Sequence, residues 1–307
     1  MQCRSVTSTH ARLAALVLAS SVAACGGDDP AGLDAAADGP VDAAGLDAAP
    51  VDAPPPRCPP AAGWGAPRPV LSLNTAGDEI YARLTADELT LFGRVADTTL
   101  TVSTRPDRDT TFPIGSPLDL GRPTTDFSSP TATGDGLTLY FLAGVGTDPR
   151  IWRARRASTS APFGDVGPVA ELASVANVET IYVLPDESAI YISYAFTDRP
   201  VQRAGRVGDA FAAPVDVAGI VGTSPVVSTD ERTIFFAPGP LATAAEIWMG
   251  TRPSTGVPFG SVARVPSIDS PARDAPTWLS PDDCRLYLRS LRAGGSGGWD
   301  LYVAERP

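Results

Sequence analysis

From residue 61 to residue 307, short apolar runs alternate with clusters of Gly, Pro, Asp and Ser. That texture is strand-and-turn chemistry and leaves no room for a long amphipathic helix. The pattern also recurs. Five segments match Asp-x-x-x-(Leu or Ile)-(Tyr or Phe): DELTLF from Asp87, DGLTLY from Asp135, DESAIY from Asp186, DERTIF from Asp230 and DDCRLY from Asp282. Successive Asp residues lie 48, 51, 44 and 52 positions apart. Asp suits a tight turn, because it tolerates turn conformations and its side chain can bond the backbone two residues on. Each motif therefore predicts a turn that leads into a strand.

Two further elements keep the same period. The segments LTVSTR, IWRARR, VQRAGR, IWMGTR and LYVAER end in Arg105, Arg156, Arg206, Arg252 and Arg306. An aromatic residue in a Pro/Gly setting follows the first four, as Phe112, Phe163, Phe211 and Phe259. In the last period the runs are PTWLS, RLYLRS and WDLYVAE, and in other periods a fourth strand is expected after the aromatic, as in PVAEL at 168–172. Four short strands in each period predict an all-β chain, a five-bladed β-propeller with four-stranded blades.

The stretch APTWLSPDDCRLYLRS followed by WDLYVAERP resembles the TolB-like, WD40-like propeller repeat, and the resemblance extends over about residues 61–307. The first and third repeats depart from it, with Thr101 and Gln202 where the others have Trp152, Trp248 and Tyr302. Residues that recur in every blade must serve every blade. The five Asp, the five Arg and the aromatics are accordingly read as structural. A binding site on such a fold is built from positions that differ between blades, and the acidic candidates on the expected inner strands are Glu79, Asp126, Glu179 and Asp274.

Residues 1–60 have a different character. Residues 1–24 carry Arg4, Arg12 and the apolar run LAALVLASSVAA with no acidic residue. That is the make-up of a signal peptide, and the run is too short to span a bilayer. The sequence Val22-Ala23-Ala24-Cys25 resembles the lipobox of bacterial lipoproteins. The resemblance implies that Cys25 is the lipid attachment site and that a membrane is the first partner. The absence of Asp directly after Cys25 resembles lipoproteins sorted to an outer membrane, so the expected location is the cell envelope, on the periplasmic or surface face of that membrane. Residues 25–60 repeat GLDAA and PVDA, a low-complexity Ala/Asp/Pro segment with no apolar stripe to bury; an extended, acidic, disordered tether is expected.

Closing a propeller requires joining its last blade to its first, otherwise two sheet edges stay open. The fifth repeat supplies three strands, and GWGAPRPVLSL at 63–73 supplies the missing element, with Trp64-Gly65 where other repeats have Phe163-Gly164 and Phe259-Gly260. This segment is expected to be the outer strand of the last blade. With Cys3 removed and Cys25 lipidated, Cys58 and Cys284 remain in an oxidising compartment, where pairing is expected. A Cys58–Cys284 bond would fasten that closure.

Charge and composition exclude several functions. The chain holds 35 acidic residues against 24 arginines and no lysine, and loss of Arg4 and Arg12 with the signal leaves a net charge of −13. Nucleic acid, which needs a basic face, is not an expected partner. His10, inside the signal, is the only histidine. The mature chain therefore cannot run a Ser-His-Asp triad, a Schiff base or a His-ligated zinc site. No cofactor, no metal site and no catalytic residue is assigned, and a monomer is expected. The resulting reading is a lipid-anchored binding or scaffold protein of the cell envelope, presenting a propeller to a protein, peptide or glycan. The alternative is a carboxylate-dependent, glycoside-active enzyme, whose mechanism would need two carboxyl groups about 5 Å or about 6.5–9.5 Å apart.

Overall fold

A computed structural model describes residues 57–59, 62–95, 99–121, 127–144, 149–194, 198–239 and 246–307. Cys25 and Asp126 lie outside the described residues. The first strand, β1 (Arg68–Pro69), pairs antiparallel with the last, β20 (Asp300–Glu305), and their sheet continues through β19 (Arg285–Ser290) to β18 (Asp274–Leu279). Two more antiparallel sheets are built from consecutive strands. One holds β2 (Glu79–Leu84), β3 (Thr90–Val95), β4 (Thr99–Thr104) and β5 (Ser116–Pro117); the other holds β6 (Phe127–Ala132), β7 (Thr138–Ala143), β8 (Arg150–Arg155) and β9 (Gly164–Pro168).

The remaining strands are β10 (Val178–Val183), β11 (Ala189–Tyr194), β12 (Pro200–Val207), the two-residue β13 (Ala210–Phe211), β14 (Val215–Val227), β15 (Thr233–Pro238), β16 (Trp248–Thr251) and β17 (Gly260–Arg264). Here the 13-residue β14 serves twice. Its first part completes β10–β11–β12 as an outer strand, and its second part opens the sheet β14–β15–β16–β17. One expected strand is corrected: the segment 168–172 is not a strand. β9 ends at Pro168, and Ala170–Leu172 forms a single 3₁₀ turn that buries Leu172. Among the described residues this is the one helical element in a nearly all-β chain.

The five repeated Asp residues share one local structure. Asp87, Asp135, Asp186, Asp230 and Asp282 each accept the backbone N–H two residues on, at 2.9–3.1 Å. The next residue is left-handed in every case, with φ between 56° and 68°: Glu88, Gly136, Glu187, Glu231 and Asp283. This is a hairpin turn with a left-handed third residue, a conformation that favours glycine. Four of the five positions nonetheless carry an acid, and for the three glutamates the tertiary contacts show why.

Glu187 accepts the Tyr140 hydroxyl from β7 of the preceding sheet and pairs with Arg206 at 2.7 Å. Glu231 accepts Tyr191 from β11 at 2.6 Å and is gripped twice by Arg203, at 2.5 and 2.8 Å. Glu88 takes a bidentate grip from Arg285 of β19, at 2.5 and 2.8 Å. All are charge-assisted bonds, and all but the Glu187–Arg206 pair, which lies within one sheet, run from one sheet to the next. At the fifth position a Cβ on Gly136 would approach Thr85 Cγ2 to 2.9 Å.

The repeated Arg and the repeated aromatic are partners. Arg105 stacks over Phe112, Arg156 over Phe163, Arg206 over Phe211, Arg252 over Phe259, and Arg306 over Trp64, at 4.1–5.8 Å from the ring centroids. Four of these arginines also donate to the carbonyl of the left-handed turn residue: Arg105 to Glu88, Arg156 to Gly136, Arg252 to Glu231 and Arg306 to Asp283. The same rings reach across to the neighbouring sheet, edge-on in Phe92–Phe163, Tyr140–Phe211 and Trp64–Phe235. Apolar clusters fill the spaces between sheets around these pairs.

Trp64 thus occupies, in the β18–β19–β20 sheet, the place that Phe163 and Phe259 hold in theirs. Its segment is bonded along that sheet: Gly65 N–H to Glu305 O at 2.8 Å, Val70 N–H to Leu301 O at 2.9 Å, and Asn74 to Leu301 in both directions. Trp299 N–H reaches Asp78 at 2.7 Å. Cys58 is bonded to Cys284, 226 residues away in sequence, and Cys58 N–H donates to Asp282 O at 2.8 Å.

Two predictions follow from this seam. A non-reduced digest should release Cys58 and Cys284 in one linked peptide, and the Cys58→Ser, Cys284→Ser double variant should lose roughly 2–5 kcal/mol in urea unfolding, as expected for opening so long a loop. Free thiols or an unchanged midpoint would contradict this. Asp283, next to Cys284, is buried and one of its oxygens has no partner; burial pushes its carboxyl up to about 6, against the opposing pull of Arg57 and Arg306. Between about pH 4 and 6 the native state then holds the extra proton, so stability falls as pH rises through that window. Asp283→Asn, which tolerates the left-handed turn, is expected to flatten that fall and to gain on the order of 1–3 kcal/mol above it. Denaturant midpoints for both proteins across pH 4–8 measure it, and parallel curves would refute the assignment.

Candidate functional site

The first strand of each sheet brings its side chains to the middle of the domain. β2 lies against β6, β6 against β10, β10 against β14, β14 against β18, and β18 against β2. Each of these strands carries a register shift: between Glu79 and Ala82, Ser128 and Thr131, Val178 and Thr180, Thr223 and Val226, and Pro276 and Trp278. Bulges bend a strand and re-aim its side chains. Ser129 and Ser224 take left-handed backbone at two of them, with φ of 47° and 55°. Their hydroxyls and those of Thr131 and Thr180 tie neighbouring strands together: Ser129 Oγ accepts Ile181 N–H at 2.9 Å, Thr131 Oγ1 accepts Val183 N–H at 3.1 Å, and Thr180 Oγ1 accepts Ser224 N–H at 3.1 Å.

Two arginines fill this polar centre, each 1% exposed. Arg83 of β2 donates to the carbonyls of Thr277 in β18 and Ile181 in β10 and lies 4.9 Å over the Tyr182 ring. Burial lowers its guanidinium to about 10. Arg289 of β19 donates to Ile80 O at 3.3 Å and Ser224 Oγ at 3.2 Å, and lies over Tyr81 and Trp299. Burial lowers it as well.

The sequence-derived carboxylates are distributed around this centre. Glu79 is buried, its two oxygens taking the Thr75 N–H at 3.0 Å and hydroxyl at 2.5 Å; burial raises its carboxyl. It lines a mainly apolar cavity of about 280 Å³ with Leu73, Tyr81, Leu91, Thr101 and Ile114. Asp274 is fully buried and takes Ser270 N–H at 2.7 Å, Ser270 hydroxyl at 2.8 Å and Arg292 at 2.8 Å. Both therefore anchor the loop that leads into their own strand. Glu179 is half-buried, interacts with Thr223 and Arg289, and keeps one oxygen without a partner; burial raises its carboxyl. Among the described residues no hydrogen bond or ion pair joins any two of the three. Nor do three His, Cys, Asp or Glu side chains gather there as metal ligands.

Arg83 and Arg289 were not singled out by the sequence reading, although a signal for Arg83 is present. Four positions before the turn Asp the repeats carry Arg83, Thr131, Tyr182, Val226 and Trp278, so Arg83 is the one charge in that column.

No family model matches the chain, and no curated protein is similar to it in sequence. Solved structures do match in fold. The catalytic domain of a Coprinopsis cinerea GH62 α-L-arabinofuranosidase superposes with a TM-score of 0.52 at 11% identity, over 81% of this chain and 98% of that one. A thermostable family-43 glycoside hydrolase gives 0.50 at 16%, over 78% and 92%. TolB from Acinetobacter baumannii gives 0.44 at 12%, over 75% of this chain and 55% of that one, so the chain spans little more than half the TolB length. At such identities the likeness bears on the fold alone, which is that of β-propeller proteins.

The carboxylates make a test of role. Asp274→Asn is expected to cost roughly 1–3 kcal/mol in urea unfolding, because it strands Arg292 and the Ser270 donors. Glu179→Gln, which forfeits the pull on Arg289 but no ion pair and whose one oxygen is already without a partner, should cost less. Equal losses for both would contradict this division.

Proposed function

We propose that the chain is a binding or scaffold protein of the cell envelope, a five-bladed propeller carried on the acidic tether and held by lipid on Cys25. In this reading the ring is closed by β1, which completes the sheet of β18–β20, and by β18 lying against β2. Its export and its outer-membrane location rest on residues 1–27, and its working partner is a protein, peptide or glycan.

The observation that carries the reading is the occupation of the repeated chemistry. Asp, Arg and aromatic residues of every repeat are engaged inside or between sheets, and Glu79 and Asp274 are bonded to their own loops. One groove that faces outward, of about 540 Å³ between β1 and the loop after β4, is lined in part by Arg68, Arg105, Arg108, Asp109, Thr110 and Glu305. Mixed charge of this kind is the chemistry of a wet, polar protein–peptide contact.

The test is a pull-down from envelope extracts with the full mature chain. It should retain a partner, and the Arg68→Glu, Arg108→Glu double variant should lose it while its melting temperature is unchanged. Absence of any retained partner, together with turnover of a glycan panel, would reverse the order in favour of the glycoside-active reading.

A further inference from the structure

The centre of the domain sets two buried guanidiniums, Arg83 and Arg289, against one carboxylate, Glu179. Arg83 uses Nη1 and Nη2 on two backbone carbonyls, and its Nε–H has no partner. The Thr277 hydroxyl also has no partner, and it belongs to the residue whose carbonyl Arg83 grips. Arg289 lies close enough for its charge to act on Arg83, and its own Nε–H is unpartnered too. Among the described residues Arg83 and Arg289 form no ion pair; Glu179 is the carboxylate that acts on Arg289, and the polar rings beside Arg83 are those of Tyr182 and Tyr81, of which burial keeps Tyr182 protonated.

Carbonyl oxygens and a ring face relieve part of the cost of such a charge. An unpaired buried ion still carries a penalty of several kcal/mol. Of the two unused groups, Arg83 Nε–H can only donate and the Thr277 hydroxyl is able to donate, so the site asks for an acceptor with negative charge rather than for a second cation. Arg83, Tyr182 and Thr277 are all buried, which restricts the occupant to a small ion.

We propose that the centre of the domain binds a monatomic anion of the halide class, held by Arg83 Nε and Thr277 Oγ1 within the field of Arg289. Such an ion would act as a structural core of the first-strand cluster, distinct from the outward groove. It completes the coordination of the two groups that the strands leave open, and it offsets one of the two buried positive charges. It would bind the folded chain and not the unfolded one, so halide should stabilise the fold by mass action.

Bromide is the probe. Crystals of the protein grown or soaked in sodium bromide should show an anomalous peak within hydrogen-bond reach of Arg83 Nε and Thr277 Oγ1. In solution, replacing gluconate by bromide at fixed ionic strength should raise the melting temperature along a saturating curve. Arg83→Met should remove that dependence; if this variant does not fold, Thr277→Val should shift half-saturation to about tenfold higher bromide. No peak at that position in crystals that show surface bromides overturns the proposal. A halide dependence unchanged in the variants, which would place the effect elsewhere, also overturns it.

Discussion

The arginine at the end of each third strand is the contact on which the other features of the repeat depend. It stacks on the aromatic that follows it and, in four sheets, donates to the carbonyl of the left-handed turn residue. A guanidinium suits this double task because its plane covers a ring while its edge still donates. One side chain thereby fixes the first hairpin, the third strand and the segment leading to the fourth. It also holds the turn in a conformation that non-glycine residues adopt at a cost. Once held, that turn presents its acid to the Tyr or Arg of the preceding sheet, as Glu187, Glu231 and Glu88 do. The order within a sheet and the attachment between sheets are therefore coupled through one residue type.

The N-terminal segment obeys the same rule from the opposite end of the chain. Trp64 is the aromatic that Arg306 requires, and Arg306 also grips the turn carbonyl of Asp283, next to Cys284. The disulfide, the β1–β20 pairing and the bonds from Asn74 and Asp78 then secure some twenty residues along the last sheet. Noncovalent and covalent fastenings meet at one turn. Since β1 is only two residues long, backbone pairing contributes little there, and the stack, the loop bonds and the disulfide carry the join.

Positions that repeat are engaged in packing within and between sheets, and the charges that do not repeat include Arg83 and Arg289 near the first strands. In the centre, hydroxyls and two arginines replace the apolar filling found between sheets. Bulges make that possible by turning Ser129 and Ser224 inward at residues a regular strand would aim elsewhere. Glu79 and Asp274 turn to Thr75 and Ser270, at the start of their own strands.

Period, turn chemistry and the partnership of Trp64 with the last repeat were legible in the residues alone. A turn Asp acts on its own neighbours within two residues, and a repeated motif reports its own spacing, so local chemistry sufficed. Residue 164 as the start of a strand, and the 3₁₀ turn at 170–172, were not legible, because an apolar run of that length fits either element until Leu172 finds its place in the core. The same limit governed the site. Glu79 and Asp274 could be assigned to first strands from their distance to the turn, yet a bulge decides which way a side chain points, and bulges arise from packing against the next sheet. Arg83 and Arg289 lie more than 200 residues apart in sequence and act on each other only because β18, β19 and β2 are brought side by side. The sequence alone determined which residues repeat; the tertiary structure decided where the non-repeating charges meet, since long-range packing, not local chemistry, sets that distance.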